Sequence, residues 1–512
     1  MDLKRLLIAA FGLLLTVIGP DAAADPLKRP NVLIAISDDQ SYPYASAYGS
    51  PFVRTPAFDS VAARGAIFTH AFASSPGCSP SRAALLTGLH SWMTGAAGTH
   101  ASSFPSAFRT IPERLAEAGY HVGYTGKGWG PGRWQEERKF NPAGPVYDSV
   151  RLSPPTTGIS PIDYAANFSA FLDARKSDEP FFFWYGALEP HLPFGAGSGH
   201  ANGWRAGRTI VPPFLPDSPT ANADLADYAF EIEWFDRHLG LILAELERRG
   251  ELDNTLIIVT SDNGMPFPRA KANLYDAGLR VPLAIAWAGR TARGIRLDQL
   301  VSLTDLAPTI YAAAGVTPPY QMVGANLLPL LGRQEAAGHS LHDFVLAGRE
   351  RHSYARWNNL GYPARSIRTR DFLYIRNFRP DRWPAGDPRS LEKDGSPGPA
   401  DMAYFDIDRS RIQRELFTRR NERAIRRFFD LAVSKRPPRE LYDLRSDPNE
   451  QVNVVDSPRY ALVADELDRK LMESLRRTRD PRVGPDPEQW ERYPRLEGVT
   501  RRFPSAAGSS SD

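Results

Sequence analysis

Asn31-Val-Leu-Ile-Ala-Ile-Ser-Asp-Asp-Gln40 holds five apolar residues in succession, stops at Ser37, and turns at once into two adjacent carboxylates. So short a run with no polar face reads as a strand buried on both sides, the habit of parallel sheets. Four more segments read the same way: His121-Val-Gly-Tyr124, Pro180-Phe-Phe-Phe-Trp-Tyr185, Thr255-Leu-Ile-Ile-Val259 and Val281-Pro-Leu-Ala-Ile-Ala-Trp287. Each is followed by polar or Gly-rich residues. Helix-like stretches alternate with them through residue 330, so the fold class is α/β, a large mixed and mostly parallel sheet sandwiched by helices. Between Asp224 and Arg249, Leu225, Tyr228, Ile232, Phe235, Leu239 and Ile242 recur at helical spacing and stop at Gly250, which predicts a packing helix. Open α/β sheets bind ligands beyond the carboxyl ends of their strands, so the polar residues after each run are where function is expected.

Outward from this core, Lys4 and Arg5 precede an apolar run from Leu6 to Ile18 and then Ala22-Ala-Ala24. About 13 apolar residues fall short of the roughly 20 that a span needs, so residues 1–24 read as a secretory signal peptide rather than an anchor. No later segment is apolar enough to cross a bilayer. The expected location is secreted or periplasmic, or lumenal in a eukaryote, with no stable membrane insertion. The reading places a catalytic domain over 25–340, a smaller α+β C-terminal domain over 341–504 and a disordered Ser/Gly-rich tail over 505–512. The C-terminal part is rich in Arg and Pro, then runs through Arg439-Glu-Leu-Tyr-Asp-Leu-Arg-Ser-Asp-Pro-Asn-Glu450 into a helix expected over 457–477. A net charge of +3 gives no support for nucleic acid as a partner. The basic stretch from Arg349 to Arg426 reads either as a surface for an acidic polysaccharide or as a solvated basic face.

An Asp-Asp pair and an Asp-Asn pair come directly after two of the strands: Ser37-Asp38-Asp39-Gln40 and Ser261-Asp262-Asn263-Gly264. Neighbouring carboxylates repel, and a cation removes the repulsion. Asp38, Asp39, Asp262 and Asn263 offer a hard, all-oxygen set suited to calcium, magnesium being the more exacting in geometry. Cys78 is the single cysteine, so it has no partner for an internal disulfide. It stands in Cys78-Ser-Pro-Ser-Arg82-Ala-Ala-Leu-Leu-Thr-Gly88. Cys-x-Pro-x-Arg followed by Leu-Thr-Gly resembles the signature of type I sulfatases.

That resemblance implies an alkaline-phosphatase-like fold and oxidation of Cys78 to formylglycine by a formylglycine-generating or equivalent maturation enzyme. One hydroxyl of the hydrated aldehyde attacks sulfur and the other later expels sulfate. The four oxygen donors, together with position 78, become ligands to one calcium ion per chain. Arg82, four residues after Cys78 and so on one helix face with it, holds position 78 and the metal-bound carboxylates. Lys127, in Gly126-Lys127-Gly128, binds a sulfate oxygen. His191, in Pro190-His191-Leu192-Pro193, and Lys271, nine residues after Asp262, bind sulfate and protonate the leaving group. One element departs from the pattern: Trp129 occupies the position of the histidine in Gly-Lys-x-His, and an indole is no base. His100 or His121 supplies that function, or turnover is slow, or the protein is a non-catalytic relative.

Within the family, Val211-Pro-Pro-Phe-Leu-Pro-Asp-Ser-Pro219, Ser261-Asp-Asn-Gly-Met-Pro-Phe-Pro268 and Asn273-Leu-Tyr275 look most like the heparan N-sulfatases, which release sulfate from terminal N-sulfoglucosamine. Tyr362-Pro-Ala-Arg365-Ser366 adds to that likeness and puts Arg365 and His352 at a sugar-binding rim. The expected partner is a sulfated oligosaccharide, with a homodimer also admitted. An O-sulfatase on another polysaccharide, a formylglycine-dependent phosphodiester or phosphonate hydrolase, and a sulfated-glycan-binding protein without turnover remain the alternatives.

Overall fold

All five expected strands form. The computed structural model describes residues 29–176, 179–203, 209–332, 341–498 and 501–504. The expected signal peptide, the Ser/Gly tail and residues 333–340 before the expected domain boundary lie outside the described residues. Among the described residues the large sheet contains β1 (Asn31–Ser37), β2 (Ala66–Phe72), β3 (His121–Gly126), β4 (Phe181–Gly186), β5 (Thr255–Ser261), β6 (Arg280–Ala286) and β7 (Ile295–Ser302). Their order is β3-β4-β1-β5-β6-β2-β7. The first four in that order are mutually parallel, β6 is antiparallel to both of its neighbours, and β2 and β7 are parallel.

The strands are apolar throughout because both faces are covered, and their period of two divides them between two cores. Val32, Ile34, Ile36, Phe182, Trp184, Leu256 and Ile258 face one. Leu33, Ala35, Phe181, Phe183, Tyr185, Ile257 and Val259 face the other. The helix Cys78–Thr87 packs on the first through Ala83, Leu85 and Leu86. The expected packing helix runs over Pro219–Arg248 and covers the second through Phe235, Leu239, Ile242 and Leu246. No helix of the described residues is long and apolar enough to cross a membrane.

A smaller antiparallel sheet comes next in the chain, with β8 (Val345–Arg349), β9 (Ala364–Arg368), β10 (Phe372–Asn377) and β11 (Arg439–Asp443) in the order β11-β10-β9-β8. Its Ile367, Tyr374 and Leu441 pack on Leu467, Leu471 and Leu475 of the helix Ala461–Arg477. Its other face, through Val345, Ala347, Leu373 and Ile375, joins the core of the large sheet.

Candidate active site

Strand register brings the expected residues together. Ser37 pairs with Ser261 across β1 and β5, Ile36 pairs with Gly186 across β1 and β4, and Gly126 pairs with Gly186 across β3 and β4. Four parallel strands therefore end at one level, and the residues just beyond them converge: Asp38 and Asp39 after β1, Asp262 and Asn263 after β5, Lys127 after β3, His191 beyond β4. Gly126 has φ +75°, and a Cβ there would stand 2.1 Å from the Gly186 carbonyl oxygen. Only glycine lets the chain turn there to present Lys127.

Cys78 opens its helix and is 1% exposed. Its Sγ lies 4.0 Å from Asp39 Oδ1. Burial, reinforced by the Asp38 carboxylate, pushes the thiol pKa well above its ordinary value, so the unmodified sulfur is a poor nucleophile here. Ser81 Oγ donates to the Asp262 carbonyl and fixes the helix against β5. Arg82 is fully buried one turn on. Its Nε donates to Asp262 Oδ2 at 2.7 Å, its Nη1 donates to the Lys127 and Gly128 carbonyls at 2.6 and 3.0 Å, and its Nη2 stands 3.7 Å from Asp38 Oδ1.

Lys127 donates to Asp38 Oδ2. Lys271 Nζ donates to Asp39 Oδ2 at 2.7 Å and to Asp408 Oδ2 at 2.9 Å, and His191 Nε2 lies 3.8 Å from Asp39 Oδ2. Burial opposes ionisation of Asp38, but Lys127, His191 and Arg82 outweigh it and hold the carboxyl far below the usual range. Asp262 goes the other way, pushed up to about 6 by burial against the pull of Arg82.

The donor set fits a hard cation. Asp38, Asp39 and Asp262 place carboxylate oxygens within 4.8 Å of one another. Asp38 Oδ1 and Asn263 Oδ1 are buried with no hydrogen-bond partner. Orphaned acceptors are costly in a dry interior and mark where a ligand belongs.

Trp129 is buried, with its Nε1 donating to the Ser79 carbonyl at 2.9 Å and its ring edge-on to Phe104 at 5.1 Å. The indole thus braces the helix that carries Cys78. Of the two histidines considered in its place, His121 begins β3, at the opposite end of the sheet, and stacks on Phe171. His100 is half-buried with its Nδ1 buried and unpartnered, its ring 4.6 Å from that of His352. His352 Nδ1 lies 3.0 Å from where a Cβ on Gly77 would stand, so His352 is a wall behind the nucleophile turn rather than a rim residue.

Arg365 is a correction. It is buried on β9, donating to Asp480 and Glu350 and stacked over Trp92. Its charge is neutralised inside the small sheet and does not reach a sugar. The basic stretch divides: Arg349, Arg351, Arg356, Arg365, Arg368 and Arg382 are buried, whereas Arg409, Arg414, Arg419, Arg420, Arg423 and Arg426 are exposed. The site residue missed from sequence is Asp408; its only signal was the pair Asp406-Ile-Asp408 within an Arg-rich stretch.

A family model described as sulfatase matches residues 30–316, more than half of the chain. The chain belongs to the sulfatase family. A second model, described as the C-terminal part of N-sulphoglucosamine sulphohydrolase, matches residues 269–424 of this sulfatase. It is 29% identical to human N-sulphoglucosamine sulphohydrolase over 494 residues, covering 89% of this chain and 92% of the relative. It is 26% identical to an ulvan-active sulfatase of Formosa agariphila, covering 87% and 74%. Its fold matches a solved structure described as in complex with its substrate D-glucosamine-2-N,6-O-disulfate, with a TM-score of 0.61 at 20% identity, covering 90% of this chain and 100% of the other. Sulfatases are in general dependent on formylglycine and a metal, and this sulfatase has the acidic cluster to hold one.

Proposed function

We propose that this sulfatase hydrolyses the sulfate group of a sulfated saccharide, terminal N-sulfoglucosamine being the first candidate, with formylglycine at position 78 and one calcium ion. The observation that carries this is a buried cysteine at a helix start, ringed by Arg82, Lys127, His191 and Lys271 and facing unpartnered carboxylate and amide oxygens. The preference for an N-sulfated glucosamine is supported by the match of the C-terminal model and by the human relative.

Asp38, Asp39, Asp262 and Asn263, with position 78, would hold the calcium ion, which when bound polarises a sulfuryl oxygen and lowers the pKa of a coordinated hydroxyl. A hydrated formylglycine supplies that hydroxyl. Arg82 neutralises Asp262 and orients the turn. Lys127 and Lys271 present ammonium groups on two sides of the pocket for the sulfuryl oxygens. His191, whose side chain is 35% exposed, is the most open of these groups and protonates the leaving nitrogen or oxygen. Trp129 cannot accept a proton, and burial keeps the His100–His352 pair beside Gly77 neutral and weakly basic, so slow turnover is expected at this step.

The N-terminal pattern supports work outside the cytosol, after a maturation enzyme has met Cys78. The test begins with protein secreted from its own host. The mass of the Cys78 peptide should match conversion of CH2SH to CHO, calcium should copurify, and sulfate should be released from N-sulfoglucosamine. Release from O-sulfated sugars alone redirects the substrate. Preference for phosphodiesters with manganese moves the enzyme to the phosphonate hydrolases, and an unmodified thiol with tight glycan binding leaves a binding protein.

A further inference from the structure

Asp408 reaches the sulfate pocket from the C-terminal part of the chain. Its Oδ2 accepts from Lys271 Nζ at 2.9 Å, the same ammonium that donates to Asp39, and Asp39, His191 and Asp408 place side-chain atoms within 4.8 Å of one another. The side chain is 26% exposed, whereas Asp39 is fully buried. Among the described residues no protein group donates to its Oδ1, and the side chain keeps partial exposure beside His191.

The carboxylate is held rigidly. Two residues earlier, Asp406 Oδ1 accepts from Ser353 N and Oγ, and its Oδ2 accepts from Arg349 and Arg356. Ile407 between them is buried in an apolar cluster. Two residues later, Ser410 caps the helix Arg411–Thr418, and Arg411 pairs with Asp224 and Asp227 on the long helix. A turn through Asp406 and Ile407, anchored on both sides, holds Asp408 against Lys271.

A negative charge at the mouth of an anion pocket weakens anion binding unless it does something else. It is no second metal ligand, because the Lys271 ammonium already lies between Asp408 and Asp39. We propose that Asp408 selects the sugar. Its free oxygen accepts a hydroxyl hydrogen from the ring that bears the scissile sulfate, and its charge repels a ring carrying a second sulfate or a carboxylate at that place. The assignment rests on the saccharide reading above and makes the enzyme selective for a singly sulfated, hydroxyl-rich terminal ring.

The experiment compares wild type, Asp408→Asn and Asp408→Ala on N-sulfoglucosamine, on the same sugar with an added O-sulfate, and on an aryl sulfate that has no sugar. Each sugar value of kcat/KM is normalised to the same variant's aryl-sulfate value, which removes general damage to the pocket. Selectivity for the singly sulfated over the doubly sulfated sugar should fall by about 10- to 100-fold in Asp408→Asn, mostly through KM. Unchanged selectivity in both variants overturns the role of Asp408 while leaving the saccharide reading intact. A wild type that hydrolyses the aryl sulfate but neither hydrolyses nor is inhibited by either sugar overturns the saccharide reading itself.

Discussion

Two buried charge networks in this molecule are built from the same residue types and end differently. In the small sheet, Glu350 takes Arg365 and Arg482 on Oε1 and Arg482 on Oε2, Asp480 takes Arg365 on both oxygens, and Asp406 takes Arg349 and Arg356 on one oxygen and Ser353 on the other. Every carboxylate oxygen there is occupied. At the strand ends of the large sheet the acceptors Asp38 Oδ1 and Asn263 Oδ1 are left over; unpartnered arginine nitrogens occur in both networks, Arg82 Nη2 here and Arg349 Nε and Arg356 Nη1 there, so the difference lies in the acceptors. The closed network is structure and the open one is a site. Buried ion pairs do little for net stability but are severe to break, so the two should respond in opposite ways to the loss of one member.

The widest separation comes from the nucleophile. Cys78→Ala should lower turnover at least about 1,000-fold while the thermal midpoint stays within a few degrees; near-normal rates would remove position 78 from the chemistry. Arg365→Ala should do the reverse, costing about 3–5 kcal/mol in urea unfolding because Asp480 is left buried without its partner, while the folded fraction still binds calcium. A small loss of stability there would end the distinction between the networks. Asp262→Asn should weaken calcium roughly 100-fold, read by metal titration, and also lower stability because Arg82 loses its buried partner.

Acid sharpens the comparison further. Burial lowers the folded pKa of His352 to about 3, and that of His100 well below its ordinary value. Between about 6.5 and that folded value the unfolded chain binds a proton that the folded chain refuses, so stability present above pH 6.5 is lost as pH falls. The slope should reach about 1.4 kcal/mol per pH unit for each such group, and His352→Gln should flatten it; an unaltered slope would show that His352 does not titrate on unfolding. Trp129→Phe, the mildest change, removes one hydrogen bond to Ser79 and should cost about 1 kcal/mol.

The large sheet was legible because strands covered on both faces have nowhere to place a polar residue, so β1, β4 and β5 stand out as unbroken apolar runs. β7 did not, because this edge strand exposes Arg296 and Asp298, and β2 is interrupted by Thr69 and His70. Four of the strand-end clusters could be read for a related reason: parallel register carries residues distant in sequence to one level. Arg365 misled because sequence shows that an arginine is present but not whether a carboxylate has met it. Asp408 was missed because the segment that carries it belongs to no strand, and only the folded anchor at Asp406 aims it at Lys271.

The burial of Cys78 sets a schedule for the protein's manufacture. The thiol is 1% exposed, and the turn before it is closed by His352, nearly three hundred residues later in the chain. An oxidising enzyme of the kind proposed would thus have a window that opens when residue 78 emerges and shuts when the final third of the polypeptide docks. On the formylglycine proposal, folding and maturation would compete for the same chain, and a host that folds this protein before modifying it would accumulate a well-formed molecule with an unconverted thiol.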